Sequence, residues 1–534
     1  MRFSLLVLSL CASLHAQPSP ARPKLVVAIT VDQFRYDYLV RFRDQYTGGI
    51  DRLLKQGAVF SNAYYEHFPT VTAIGHSTFL SGATPSVSGI IGNEWFDRES
   101  GKQVTSVADD NEDTLGGASR GTAKSASPRR MLVSTVGDEL KMAGRGSKVV
   151  GISLKDRSAI LPAGHMADGA YWFDPQSGNF ASSTYYFKQL PSWVDSFNKS
   201  RFADKFAGSQ WTPIGGGALL KSMPSKLDNV YYSGLESSPY GNDIVAKFAE
   251  AAVIGEQLGK RNTTDVLAVS FSSNDYVGHQ NGPDSPHVKD VSILTDRLLG
   301  DFFKFLDAQV GMRNIVVVFT ADHGVAPMPE LNLQRRMPGG RISEKTIDST
   351  IEKTLTAKYG EGKWIAGKTG ASRYLNHALI QEKKLNYIDV LDTAAEALRA
   401  IPHMHRVYTR ADLAKGTVPG DLIDRRVLAG FYYKRAADLT VVADPYYLFE
   451  ARGTSHGMPF QYDAHIPVIF MGPGVKPGRY DLQITANDIA PTLATLLDVS
   501  KPSGAVGRAV HEILAPAGTV RAAPGVKPAS PAKP

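Results

Sequence analysis

The 534-residue chain is predicted to adopt an α/β fold, with a mostly parallel central sheet that carries helices on both faces. Two observations lead to this prediction. Strongly apolar, strand-like runs recur along the chain, at about residues 24–31, 147–154, 265–271, 314–320 and 466–471. Segments with helical spacing of apolar residues separate these runs, and such alternation is typical of parallel sheets covered by helices.

The segment VKDVSILTDRLLGDFFKFLDAQV is one of the predicted helices. Its apolar residues follow one another at three- and four-residue spacing: Val291, Leu294, Leu298, Phe302 and Phe305. Residues with this spacing lie on one face of a helix. An apolar face of this kind supports the predicted layer of helices over the sheet.

The first 16 residues have the layout of a secretory signal peptide. Arg2 is followed by the apolar run FSLLVLSLCASL, and Ala16 precedes a proline-rich segment. The apolar run is too short to span a bilayer, which disfavours a membrane anchor. We expect cleavage after Ala16, a linker over residues 17–23, and a periplasmic or secreted protein. The sole cysteine, Cys11, would leave with the signal, so the mature chain would have no disulfide.

Residues 24–515 are predicted to form one large domain with an inserted subdomain at about 326–455. The insert is longer than a connection requires, and YIDVLDTAAEALRAI within it has helical character. Residues 94–130, rich in Ser, Gly, Asp and Arg, are predicted to form a surface loop. The tail 516–534 has too few large apolar residues to pack and is predicted to be disordered.

The net charge of +7 arises from 59 basic and 52 acidic residues spread along the chain. A mildly basic surface is compatible with small anionic substrates. Nucleic acid is not an expected partner, because no dense basic arm with interleaved aromatic residues is present. Neither charge nor composition predicts an oligomeric state.

Residues that bind metals follow three of the apolar runs directly. Asp32 follows LVVAITV, Asp275 follows VLAVSFSSN, and Asp322 with His323 follows IVVVFTA. In open α/β sheets, ligands bind outside the carboxyl ends of the strands. We therefore expect these carboxylates and imidazoles to converge at one edge of the sheet and to form a metal site.

Local spacing suggests a first group of metal ligands. Asp275 and His279 are four residues apart and can face one way on a helical turn. His456 could complete this group from the loop TSHGMP, where neighbouring glycines allow close approach of the backbone. One carboxylate and two imidazoles leave an open coordination position, as in catalytic zinc sites.

Asp32, Asp322 and His323 can form a second group, again with an open position. The mixture of His and Asp favours zinc, although manganese and iron accept the same ligand types. Adjacent Asp322 and His323 point their side chains differently, so they need not bind one ion in the same way.

Thr72, in HFPTVTAIGHSTFLSG, is the candidate nucleophile. Pro69 lies just upstream and a helical pattern follows, which places the Thr72 hydroxyl near a helix N-terminus, where an anion is favoured. Contact with a divalent metal would lower the pKa of the hydroxyl. Thr72 could instead be an ordinary N-cap, and Thr70 is a local alternative for both roles. His76, one turn later, could support the metal ligands from behind, but packing is the more typical role of such a histidine.

The segments around these residues resemble the alkaline phosphatase superfamily over nearly all of residues 24–512. They are PTVTAIGHSTFLSG, GIIGNEWFD, NDYVGH, TADHG and TSHGMP. They are similar to those of the threonine-nucleophile branch, which contains nucleotide pyrophosphatase/phosphodiesterases and secreted, phosphate-irrepressible alkaline phosphatases. The resemblance implies an alkaline phosphatase-like fold and metal-dependent hydrolysis of phosphate esters through a phosphothreonine intermediate.

The resemblance also implies roles for individual residues. It implies two zinc ions, the first held by Asp275, His279 and His456 and the second by Asp32, Asp322 and His323. Thr72 would be the nucleophile in contact with the second zinc. Asn93, in GIIGN, would donate a hydrogen bond to a nonbridging phosphoryl oxygen.

Lys155 and Arg157, in GISLKDRSAILPAGH, bear on the substrate class. They lie two apart at the end of a strand-like run, so in an extended chain both could point into one crevice. A phosphate monoester has one more negative oxygen than a diester, and such a pair would bind it by charge-assisted hydrogen bonds. The resemblance implies that threonine-type alkaline phosphatases have this pair and that the diesterases lack it.

We therefore expect a phosphomonoesterase. A phosphodiesterase or nucleotide pyrophosphatase on the same scaffold is the nearest alternative. A metal-stabilised binding protein without activity is a second alternative, which the presence of the complete set of site residues disfavours.

Overall fold

A computed structural model describes residues 22–118 and 123–515 of the chain. The predicted signal peptide at 1–16, most of the predicted linker at 17–23 and the predicted tail at 516–534 lie outside these residues. Within the described ranges, no helix is both long enough and apolar enough to cross a membrane.

Ten strands form the central sheet, and the predicted α/β class is confirmed. In spatial order they are Gly478–Thr485, Ala58–Tyr64, Val468–Met471, Ile315–Thr320, Leu25–Val31, Asp265–Phe271, Val149–Ser153, Gly169–Asp174, Asn179–Ser183 and Thr114–Leu115. Two strands, Val468–Met471 and Asn179–Ser183, are antiparallel to their neighbours. The sheet is therefore mixed, and its central strands are parallel. All five apolar runs predicted as strands lie in this sheet.

The centre of the sheet is buried on both faces. Every residue of Leu25–Val31 is buried, and so is every residue of its two parallel neighbours, Asp265–Phe271 and Ile315–Thr320. Parallel strands with helices on both sides have no solvent-facing side, which explains why these runs are continuously apolar rather than alternating.

The helices that cover the sheet form two packed groups. The first group consists of Gly49–Gln56, Pro239–Gly255 and Pro286–Gln309. The second group consists of Thr72–Ser81, Val136–Met142, Asp156–Ala163 and Ile489–Leu497. The predicted helix over residues 288–310 is thus observed, with Val291 and Phe302 fully buried and Leu298 partly buried against the core.

Part of the predicted insert at 326–455 forms a second, four-stranded antiparallel sheet. Its strands, in spatial order, are Ile365–Thr369, Ser372–Leu375, Leu439–Ala443 and Met404–Thr409. Two helices, Glu344–Tyr359 and Tyr387–Arg399, pack together and share with this sheet an apolar core separate from that of the central sheet. The shorter helices of the insert are Pro329–Gln334, His377–Glu382, Arg410–Lys415 and Leu422–Gly430.

The prediction that residues 94–130 form a surface loop is wrong. Glu94–Asp97 and Lys102–Thr105 form a hairpin, and Thr114–Leu115 extends the edge of the central sheet. Trp95 is fully buried in an apolar cluster, and Phe96 contacts the ring of Tyr374 in the insert. The buried Trp95 and the half-buried Phe96 hold this segment, and the many polar residues around them hid that signal in the sequence.

Candidate active site

Neighbouring parallel strands deliver the candidate residues to one edge of the central sheet. Each of four of them follows a different strand of the parallel centre: Asp32, Lys155, Asp275 and Asp322. The carboxyl ends of these strands meet at the same edge, where a crevice for ligands is expected. The fold therefore brings together side chains that lie far apart in the sequence.

Asp275, His279 and His456 form the first candidate metal group. One ligand atom from each lies within 4.8 Å of the others. The helix Ser273–Asn281 places His279 Nε2 3.2 Å from Asp275 Oδ1, and His456 Nε2 lies 3.6 Å from the same oxygen. Gly453 has a φ of 66°, and a Cβ on it would lie 2.2 Å from the carbonyl oxygen of His279. The loop that carries His456 can therefore approach only with glycine at that position.

Asp32, Asp322 and His323 also lie near one another, but the second tight group contains a different histidine. The ligand atoms within 4.8 Å of one another belong to Asp32, His76 and Asp322. His323 Nε2 lies 3.2 Å from Asp322 Oδ2 and 3.5 Å from Thr72 Oγ1. Two histidines, His76 and His323, are thus candidates for the second metal group.

Hydrogen bonds distinguish these two histidines. Both ring nitrogens of His76 are occupied, Nδ1 by the carbonyl oxygen of Thr72 at 2.9 Å and Nε2 by Ser270 Oγ at 3.0 Å. His323 bonds the carbonyl oxygen of Gly324 through Nδ1 at 2.9 Å, and its Nε2 faces two atoms of the site, Asp322 Oδ2 at 3.2 Å and Thr72 Oγ1 at 3.5 Å. A metal ligand needs a free nitrogen lone pair, so the arrangement favours His323 as the ligand and His76 as a support for its surroundings.

Three histidines share one orientation that suits metal binding. In each, Nδ1 lies within hydrogen-bonding distance of a backbone carbonyl oxygen: His279 with Thr454 at 2.8 Å, His323 with Gly324 at 2.9 Å and His456 with Thr70 at 2.8 Å. An imidazole that donates from Nδ1 presents a lone pair on Nε2. Ligating histidines are commonly oriented in this way by a carbonyl or carboxylate partner.

A buried carboxylate oxygen gives independent support for a cation. Asp322 is fully buried, and its Oδ2 accepts no hydrogen bond of normal geometry from the described residues, although His323 Nε2 lies 3.2 Å away. A buried polar atom without a partner costs free energy, and an ionised one costs more. Carboxylate and imidazole donors around such an atom fit a divalent metal such as zinc.

Lys155 connects the two groups. Its buried Nζ donates to Asp275 Oδ2 at 2.6 Å and to Asp32 Oδ2 at 3.0 Å. Burial alone would raise the pKa of both carboxyl groups, but the nearby ammonium outweighs it and holds the pKa of each well below its usual range. The two carboxylates, led by Asp275, in turn raise the pKa of Lys155 in spite of its burial. All three groups are therefore charged.

The two imidazoles of the first group have pKa values shifted in opposite directions. Burial alone would lower the pKa of His279, but Asp275 outweighs it and raises this pKa to about 9. The pKa of His456 lies well below its usual value, because the ring is buried and lies beside His323 and His279. Its ring centroid is 3.4 Å from that of His323. Crowding of three imidazoles thus keeps His456 neutral, as a metal ligand must be.

Thr72 begins the helix Thr72–Ser81, and the structure weighs against both alternatives for this segment. Val71 occupies the N-cap position, so Thr72 is not an N-cap. Thr70 Oγ1 donates to the carbonyl oxygen of Met458 at 3.0 Å, which occupies its hydroxyl. Gly75 allows the helix to reach the strand end, since a Cβ there would lie 2.2 Å from the carbonyl oxygen of Asp322.

Asn93 lies at the mouth of the crevice. Its Oδ1 accepts a hydrogen bond from the backbone N–H of Ala73 at 2.8 Å, which fixes the orientation of the amide. The side chain is half-buried and borders the same cavity as His279 and His456. Because Oδ1 is occupied, the NH₂ group is left to donate to a ligand.

Lys155 and Arg157 do not continue an extended strand, and that part of the prediction is wrong. Lys155 is the N-cap of the helix Asp156–Ala163, and Arg157 lies in its first turn. The Arg157 side chain is 25% exposed, and its Nε has no hydrogen-bond partner among the described residues. The positive charge of Arg157 acts to lower the pKa of Lys155, so the two cations are neighbours. Only Lys155 contacts the carboxylates of Asp32 and Asp275.

Gln33 is a site residue that the sequence reasoning missed. Its backbone N–H donates to Asp322 Oδ1 at 3.0 Å, and its Nε2 donates to Asp275 Oδ1 at 2.7 Å. It adopts a φ of 61°, which is unusual for a residue other than glycine. A Cβ on Gly278 would lie 1.8 Å from Gln33 Oε1, so the second turn of the helix Ser273–Asn281 leaves room for this side chain only with glycine at that position. Its place directly after Asp32 is the only signal that sequence offered.

Comparisons with known proteins agree on the family of this chain. The family model for type I phosphodiesterase / nucleotide pyrophosphatase matches residues 26–461. The alkaline phosphatase PafA of Elizabethkingia meningoseptica is 36% identical over 95% of this chain and 98% of its own. The alkaline phosphatase PhoV of Synechococcus elongatus is 37% identical over 96% of this chain and 100% of its own.

The fold agrees as well. The crystal structure of wild-type PafA has a TM-score of 0.87 against this chain, with 92% of this chain and 99% of that chain covered. The superfamily predicted from the motifs is confirmed. This chain belongs to the type I phosphodiesterase/nucleotide pyrophosphatase family of the alkaline phosphatase superfamily.

Proposed function

We propose that this protein is an alkaline phosphatase that hydrolyses phosphate monoesters. Relatives over nearly the full length of the chain bear that name. The observation that carries the proposal is the position of Lys155, whose ammonium lies between the carboxylates of the two candidate metal groups. A fixed cation there suits the additional negative oxygen of a monoester. The signal-like N-terminus supports a periplasmic or secreted location for this activity.

Two divalent ions fit the site, and zinc suits the donors best. The proposed ligands are Asp275, His279 and His456 for the first ion and Asp32, Asp322 and His323 for the second. When bound, these ions would supply positive charge that lowers the pKa of the Thr72 hydroxyl and balances the charge of the phosphate. Gln33 and the backbone carbonyls that bond each Nδ1 hold the ligands in place.

Four side chains have the remaining roles in catalysis and phosphate binding. Thr72 Oγ1 attacks phosphorus in line with the departing alcohol and becomes phosphorylated, and water then hydrolyses the phosphothreonine in a second in-line step. The Asn93 amide and the Arg157 guanidinium donate to nonbridging oxygens. Lys155 bridges the carboxylates of Asp32 and Asp275, offsets their mutual repulsion and adds positive charge between the two groups.

A structure of a PafA variant supports the choice of these four residues. That variant carries substitutions at a threonine, an asparagine, a lysine and an arginine. The spacing of the four positions along its chain is the same as that of Thr72, Asn93, Lys155 and Arg157. The relative is 36% identical, with a TM-score of 0.86. This supports a shared phosphate-binding set.

Rates on matched esters test the proposal. We expect kcat/KM for an aryl phosphate to exceed that for the bis-aryl diester with the same leaving group, measured on enzyme loaded with zinc. Faster hydrolysis of the diester by a wide margin would favour a phosphodiesterase or nucleotide pyrophosphatase. Absence of any chelator-sensitive hydrolysis would favour the binding protein.

Arg157→Ala is expected to weaken monoester hydrolysis selectively. Loss of one charged hydrogen bond costs about 1.5 to 3 kcal/mol, which corresponds to a decrease in kcat/KM of about 10- to 150-fold. The diester, which lacks one negative oxygen, should lose much less. Arg157 is the cleaner target because Lys155→Ala would also leave Asp32 and Asp275 without their shared cation.

Steady-state rates on both ester classes measure this selectivity. Arg52→Ala, on the surface helix Gly49–Gln56, is the control and should change neither rate. Equal losses on monoester and diester in Arg157→Ala would contradict the role assigned to this residue.

Gln33→Leu is expected to weaken metal binding with little loss of fold. The substitution removes the hydrogen bond to Asp275 Oδ1, and loss of such a support for a ligand typically costs about 10- to 100-fold in metal affinity. Zinc affinity is measured by competition with a chromogenic chelator. Gln257→Leu is a matched control, because Gln257 also has a positive φ, of 54°, and is exposed outside the site. Unchanged zinc affinity in Gln33→Leu would refute the positioning role.

A further inference from the structure

A cavity of about 420 Å³ opens beside the first ligand group, where the insert faces the edge of the central sheet. Asn93, His279 and His456 form its inner wall. We call this space the alcohol cavity. A phosphate held at the proposed site would place the rest of the ester in or against this space, because the carboxylates and strand ends close the opposite side.

Apolar side chains line most of the alcohol cavity. Among them are Phe68, Val71, Ile91, Leu413, Phe431 and Phe449. Phe431 and Phe449 are only half-buried and belong to the same apolar cluster as Phe68 and Leu413, so they present surface to the cavity. Covering such surface with an apolar ligand is favourable.

The charges of the alcohol cavity have one sign. Its lining contains neither lysine nor arginine among the described residues, and it contains three glutamates. Lys368 and Arg373 neutralise Glu344. Glu94 and Glu450 are exposed and form no ion pair with any described residue. Away from the proposed metal ligands, a negatively charged group in this cavity would therefore meet carboxylates and no lysine or arginine of the described lining.

On the basis of the proposed phosphatase activity, we propose that the alcohol cavity binds the alcohol portion of the ester and selects uncharged, apolar alcohols over alcohols that carry further anionic groups. The substrate class is then monoesters of aryl-bearing or alkyl alcohols. Apolar burial against Phe431 and Phe449 supplies the preference for such groups. Repulsion by Glu94 and Glu450 supplies the discrimination against nucleotide-like, multiply phosphorylated esters.

Three alkyl phosphates test this selectivity, because their alcohols have similar basicity and therefore similar intrinsic reactivity. They are ethyl phosphate, 3-phenylpropyl phosphate and propane-1,3-diyl bisphosphate. For the wild type, kcat/KM for the phenylpropyl ester should exceed that for ethyl phosphate by at least about tenfold. The bisphosphate should react more slowly than ethyl phosphate, after correction for its two equivalent esters.

Two variants separate the apolar and the charge components. Phe449→Ala should lower the phenylpropyl-to-ethyl ratio by at least about fivefold. Glu450→Lys should raise the bisphosphate-to-ethyl ratio by a similar factor of about five, since it reverses one charge in the cavity. Glu361→Lys makes the same change in net charge on an exposed glutamate outside the cavity and should leave both ratios unchanged.

Unchanged ratios in both Phe449→Ala and Glu450→Lys would overturn the proposal. So would a wild-type preference for the bisphosphate. Because Glu450 is exposed, its variant reports on the cavity even where Phe449→Ala fails to fold. Absence of hydrolysis of all three esters by the zinc-loaded wild type would overturn the phosphatase activity itself, a result distinct from flat selectivity.

Discussion

Thr72→Ala is expected to lower kcat for phosphate monoesters by at least about 1,000-fold, on the scale seen when a covalent nucleophile is removed. Thr72 is buried at the start of its helix, and among the described residues its hydroxyl has one hydrogen-bonding neighbour, His323 Nε2 at the long distance of 3.5 Å. Removal of the hydroxyl therefore leaves no donor or acceptor that depended on it. Fold and zinc content should both survive.

Steady-state rates, circular dichroism and metal analysis measure the three parts of this prediction. Acid quenching of the wild type during turnover, followed by mass spectrometry, should find phosphate on the peptide that contains Thr72. Thr70→Ala is the control, since the Thr70 hydroxyl bonds Met458 and should contribute less than about a tenfold effect. A larger loss in Thr70→Ala than in Thr72→Ala would transfer the nucleophile role to Thr70.

Removal of divalent metal is expected to abolish hydrolysis, to below about 1% of the loaded enzyme, and to lower Tm. Without a cation, Asp322 Oδ2 is left buried without a hydrogen bond of normal geometry, and the imidazoles of His279, His323 and His456 crowd together beside the carboxylates of Asp275 and Asp322. A ligand that binds only the folded state stabilises it by about 4 kcal/mol at a thousandfold excess over Kd. Addition of zinc should restore both activity and Tm.

Substitution of one proposed metal ligand tests whether the protein has two separate metal sites. His279→Ala removes one proposed ligand of the first ion while the buried second group stays intact, so the zinc content should fall from two ions to one per chain. His165→Ala, at a histidine that belongs to neither group, should retain both ions. Full activity in metal-stripped protein, or two ions in His279→Ala, would contradict the two-site assignment.

Local patterns in the sequence determined the elements and the short spacings. The five apolar runs predicted as strands form part of the central sheet because continuous apolar stretches mark strands that are buried on both faces. Asp275 and His279 face one crevice because four residues make about one turn of a helix. Such features depend on the backbone geometry of a few consecutive residues, and so they can be read without knowledge of the fold.

The tertiary structure decided the contacts between distant residues. Lys155 lies 123 residues from Asp32 and 120 from Asp275, and their contact depends on which strands are neighbours in the sheet. Strand order is not encoded in local periodicity. For the same reason, the sequence did not show that Gln33 bridges two carboxylates or that His76 and His323 compete for the second group.

The alcohol cavity is the feature of this protein that the sequence alone predicts least. Its walls come from residues 68–71 and 91–94, from the helix that carries His279, from the insert and from the loop that carries His456, segments that only the folded chain brings together. The polar composition of residues 94–130 concealed the hairpin, because the burial of one residue, Trp95, stabilises it in spite of many polar neighbours. The sequence by itself thus determined the fold class, the candidate ligands and the candidate nucleophile. Only the tertiary structure decided how the ligands are paired and what space adjoins them, because both depend on packing between segments that are remote along the chain.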